Sequence, residues 1–87
     1  MKTKIVGSNA RVNPFYRSMT VEIMEGAAKG DLATIAVCVA AKGGFDVFCT
    51  YNGAEGEISV EALQGRSLSA GQAADKWRAF CDFYEVK

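Results

Sequence analysis

Eighty-seven residues, 49% of them hydrophobic and only one of them proline, describe a single folded domain spanning 1–87 and exclude a disordered tail. Net charge is zero and there is no histidine, which removes the commonest general base and the commonest metal ligand together. No apolar run approaches the roughly 20 residues of a bilayer span, and none follows the basic start Met1 to Val6, so neither a membrane segment nor a secretory signal is expected.

In chain order, Lys2 to Val6 suits an edge strand and Ser8 to Pro14 a loop. Ser18 to Glu25 alternates Met19, Val21 and Ile23 against Ser18, Thr20 and Glu22, the period of a half-buried strand. Gly26 to Asp31 then turns the chain. Leu32 to Ala41 is apolar except for Thr34, and periodicity alone allows a buried helix or a buried strand. Thr34, Ile35, Val37 and Val39 are β-branched and favour strand. The competing reading runs one helix from an Asn13 cap and Pro14 to Lys29 and a second from Asp31 to Lys42, the outline of a winged helix.

Phe45 to Tyr51, then Asn52-Gly53, then Ala54 to Val60 reads as a hairpin closed by a two-residue turn. That register pairs Tyr51 with Ala54, Cys49 with Gly56, Val47 with Ile58 and Phe45 with Val60. With Lys42-Gly43-Gly44 as the preceding loop and Gly44 left-handed, Val39 meets Val47, Val37 meets Cys49 and Ile35 meets Tyr51. Val60 to Gln64 suits a short turn of helix. Ser69 then caps a C-terminal helix, with Gln72 completing a capping box and Ala73, Trp77, Phe80, Cys81 and Tyr84 on one face.

The expected fold is α+β: an antiparallel β-meander of three to four strands with the C-terminal helix packed on one face. Met19, Val21, Ile23, Ile35, Val37, Val39, Phe45, Val47 and Ile58 would lie beneath the helix. The other face would carry Met24, Ala36, Cys38, Ala40 and Phe48, covered by Phe15 and Tyr16 or left for a partner.

Nothing in the chain spells out catalysis or cofactor binding. Cys38, Cys49 and Cys81 are scattered among apolar neighbours, as buried thiols of a reducing, cytoplasmic compartment are. Gly26 to Gly30 and Gly43-Gly44 lack the phosphate-loop pattern. Glu55, Glu57 and Glu61, like Glu22 and Glu25, read as solvated charge. Four of the ten bases (Lys2, Lys4, Arg11, Arg17) and none of the ten acids fall within residues 1–21, a basic segment suited to an acidic partner.

In outline only, three strands followed by a helix resemble the double-stranded-RNA-binding domain. That family's first helix has no counterpart here. The lysine-rich start of its last helix would fall near Ser69 to Lys76, where only Lys76 is basic. A winged-helix wing at Asn52-Gly53 would present Asp46, Glu55 and Glu57 to phosphates. The expectation is therefore a small non-enzymatic protein that binds another protein or its own copy, with no cofactor and no metal. Phe48, Cys38, Ala36 and Met24, with Phe15, Tyr16, Arg11 and Arg17, are the candidate contact residues. By analogy of size alone, regulators and inhibitors such as phage anti-CRISPR proteins are built this way. The alternative is nucleic-acid binding, with Phe15 and Tyr16 stacking on single-stranded bases beside Arg11 and Arg17.

Overall fold

The computed structural model describes residues 2–52 and 63–86. In these, five strands follow one another as β1 (Thr3–Val12), β2 (Phe15–Ile23), β3 (Leu32–Val39), β4 (Phe45–Tyr51) and β5 (Gly65–Leu68), and one helix, α1 (Ala70–Phe83), closes the chain. Spatial order equals chain order, and every pairing is antiparallel. The meander and its helix are as expected; the strand count is higher.

Residues 14–41 form strands, not helices. Met19 pairs with Ile35 and Val21 with Ala33. Between them the turn is closed by Ile23 N–H to Asp31 O at 2.9 Å and Gly30 N–H to Ile23 O at 2.8 Å. The β-branched content of Leu32–Val39 prevails because both neighbours offer complete ladders. The helix-pair reading is thereby overturned, and the winged-helix outline with it.

Strand β1 runs past Val6 to Val12, through the stretch expected as loop. Ser8 to Val12 lack apolar alternation because the segment is exposed on both faces, yet β2 pairs with it as far as Val12↔Phe15. A one-residue irregularity lies between Ile5 and Gly7.

The β3–β4 register is offset by two residues from that expected: Val39 meets Phe45, Val37 meets Val47 and Ile35 meets Cys49. An even offset leaves every side chain on its expected face, so the facing pattern survives. The connection is wider than three residues. Ala40 is buried within it and donates to Gly44 O at 3.0 Å, so it leaves the second face where it was expected. Gly44 is left-handed, with φ +74°.

The expected strand Ala54 to Val60 lies outside the described residues, as does most of Val60 to Gln64. The free edge of β4 is nevertheless assigned at two points: Phe45 pairs with Leu68 and Val47 with Gly65. The pairings Phe45–Val60 and Val47–Ile58 are therefore replaced by β5. A four-residue strand with the sequence Gly65-Arg66-Ser67-Leu68 carries too little periodicity to be legible.

Helix α1 begins as expected. Ser69 Oγ accepts from Gln72 N at 3.1 Å, and Gln72 Oε1 accepts from Ser69 N at 3.0 Å. It lies over β3, β4 and β5. Met19, Val21, Ile23, Ile35, Val37, Val47 and Cys49 meet Ala73, Phe80 and Tyr84 in the core, joined by Leu63. Val39, expected under the helix, is instead half exposed, because α1 does not reach that end of β3.

Candidate functional site

Alternation along the strands sorts the candidate residues onto two faces. Because Met19, Ile35 and Val47 face the helix, their even-numbered neighbours face away. On that side Tyr16 stands opposite Cys38, Ser18 opposite Ala36, and Ala36 opposite Phe48. Across β1, Arg11 stands opposite Tyr16 and Lys4 opposite Glu22. No described helix or strand crosses this face; α1 occupies the other. We call it the open face.

Five candidates are thus brought together: Phe48, Cys38, Ala36, Tyr16 and Arg11. Two arginine–aromatic contacts mark its ends. The Arg11 guanidinium lies 5.2 Å from the centre of the Tyr16 ring, and that of Arg66 lies 5.6 Å from the centre of Phe48. Between them are the small side chains of Ser18, Ala36 and Cys38, and the hydroxyl pair Thr20–Thr34, at 2.8 Å, lies in the next row. Asp46 accepts from Ser67 N at 2.8 Å, which ties β5 to the same surface. Arg66 had no signal in the sequence, because its position depends on the unanticipated β5.

Phe15 and Arg17 lie on the opposite side. Adjacent strand residues face opposite ways, so Phe15 and Tyr16 cannot both fold over one face. Phe15 meets Phe45 edge-on, with ring centres 5.7 Å apart. Arg17 lies over Trp77 at 4.1 Å. Phe15, Phe45, Val37, Ala70 and Ala74 join that pair around a shallow apolar cleft of about 240 Å³. Met24 lies just past β2, at the margin of the sheet, its N–H bonded to Lys2 O at 2.9 Å.

Cys49 and Cys81 sit in surroundings that disfavour their thiolates. Burial pushes Cys49 up to about 11, against a smaller opposing effect of the Thr50 backbone. Burial also raises Cys81, with Arg17 partly opposing it. A thiol held protonated is a poor nucleophile at neutral pH. Among the described residues, no cluster of three Cys, Asp or Glu side chains could hold a metal ion, and no helix is long and apolar enough to cross a membrane. The chain matches no protein-family model, no curated protein and no solved structure.

Proposed function

We propose that this protein acts by binding another protein through the open face of its sheet, as a small regulator or inhibitor working in a reducing compartment such as the cytoplasm. The observation behind this is Phe48. It is a large aromatic on the side away from the helix, next to Ala36, with Arg66 laid against its ring. Aromatic and arginine side chains set among small neighbours are the composition of interface anchors. The small residues let a partner approach the backbone closely, and the arginines supply directional donors at the rim.

The discriminating experiment is affinity capture from the native host with two variants. Phe48→Asp should lose a specifically retained protein, while Arg17→Ser, altered on the opposite side, should keep it. Equal retention by both variants sinks the reading. Light scattering on the purified protein identifies the case in which the partner is a second copy.

A second reading has one specific observation in its favour. Two arginine–aromatic pairs on one sheet face could accept stacked bases of a single strand, with Lys4 and Arg11 near phosphates. Retention on an oligonucleotide that weakens steeply with salt would favour it over protein binding.

A further inference from the structure

Strand β1 is the longest in the sheet and forms one of its edges; β2 is its only partner among the described strands. From Lys4 to Val12 every residue is exposed. An uncovered edge of this length presents a row of backbone donors and acceptors to any extended chain. Its charge narrows the choice of chain.

Lys4 and Arg11 are seven residues apart. On a regular strand an odd separation places two side chains on opposite faces. The irregularity between Ile5 and Gly7 reverses that: Lys4 stands opposite Glu22 and Arg11 opposite Tyr16, both on the open face. Two cations therefore line the same side of the edge, with Lys2 just before the strand, and β1 carries no acid. Glu22 of the neighbouring strand stands opposite Lys4 and not opposite Arg11. A second copy of β1 would bring a second set of cations to this edge, which disfavours self-pairing; a chain bearing carboxylates is attracted.

We propose that the outer edge of β1 accepts an extended acidic segment of a partner protein as a sixth strand, its carboxylates meeting Lys4 and Arg11. Main-chain hydrogen bonds would hold the added strand, and the two cations would select its charge. The inference rests on the protein-binding reading but uses the main-chain edge of β1 at the margin of the open face and not Phe48, so the two can fail separately.

The test uses the full chain, labelled for NMR, and a synthetic ten-residue peptide alternating glutamate and valine. The expected result is saturable shifts confined to Thr3–Val12 and β2, with slowed amide exchange along β1. Lys4→Glu with Arg11→Glu should weaken binding on the order of tenfold. A peptide N-methylated at every second residue in the phase whose N–H groups face β1 should not bind, whereas the opposite phase, methylated on its outward edge, should still bind. Phe48→Asp should leave the peptide affinity unchanged. Equal binding of both N-methylated peptides or of a lysine–valine peptide, shifts centred on Phe48 and Ala36, indifference to the double variant, or no saturation would each overturn the proposal.

Discussion

The Arg17 guanidinium carbon lies over the Trp77 indole, 4.1 Å from the ring centre, and joins the second strand to the helix. A cation over an indole contributes about 0.5–2 kcal/mol, depending on how far water is excluded. Arg17→Met keeps much of the packing and removes the charge. It should lower stability by about 1 kcal/mol in urea denaturation. The same charge holds the Cys81 thiol down against its burial. The variant should therefore raise the Cys81 pKa further and slow its alkylation at mildly alkaline pH. An unchanged alkylation profile would show that Arg17 does not reach this thiol in solution.

The helix is anchored by Phe80, which is fully buried and packs its ring 4.7 Å from that of Tyr84. Phe80→Ala should cost about 3–5 kcal/mol, much of the total stability of a domain this size. Circular dichroism melting should show a largely unfolded variant or a midpoint lowered by well over 10 °C, at roughly 4–8 °C per kcal/mol. A shift of only a few degrees would mean that the site collapses around the missing ring.

Gly43 and Gly44 are both left-handed, at φ +99° and +74°, but their surroundings differ. A Cβ on Gly43 would meet nothing within 4 Å, whereas one on Gly44 would come within 2.6 Å of the Leu68 carbonyl oxygen. Gly43→Ala should thus cost only the backbone term, about 1 kcal/mol. Gly44→Ala should cost more, about 2–4 kcal/mol, because β5 must shift away. Equal losses in denaturant titrations would contradict the close approach.

The Tyr51 hydroxyl donates to Asp31 Oδ2 at 2.5 Å and, with Asn52, holds the Asp31 carboxyl below its ordinary value. A carboxyl whose pKa falls on folding adds stability above its unfolded value, and the gain is lost as pH drops through its folded one. Tyr51→Phe should move the Asp31 titration upward, and its acid unfolding should begin at higher pH. Carboxyl carbon shifts followed by NMR report the first effect directly.

Much of this structure was legible because strand alternation survives an error in register. Val37 meets Val47 and not Cys49, yet keeps the expected side of the sheet, because the offset is an even number of residues. Ser69 and Gln72 announced the helix start through side-chain chemistry that is local to the sequence. Ser8 to Val12 reads as loop in sequence because an exposed edge strand has no apolar face to display. Arg66 is silent in sequence for a different reason: its proximity to Phe48 depends on a pairing that no short-range pattern encodes. Phe15 and Tyr16 are neighbours in sequence, and in a strand that adjacency is what separates them.

The helix covers the later strands, so β1 relies on its ladder to β2 and on the Thr3 hydroxyl, which donates to the Tyr84 carbonyl oxygen at 2.7 Å. Cooperativity should therefore be uneven across the sheet. The outermost strand can peel away at low free energy while Ile35 and Val47 stay sealed, and its amides should exchange by local opening well before global unfolding. Whatever docks along that margin would meet a surface that is partly dynamic when alone, and its binding would register as added rigidity in the hairpin with little movement in the core.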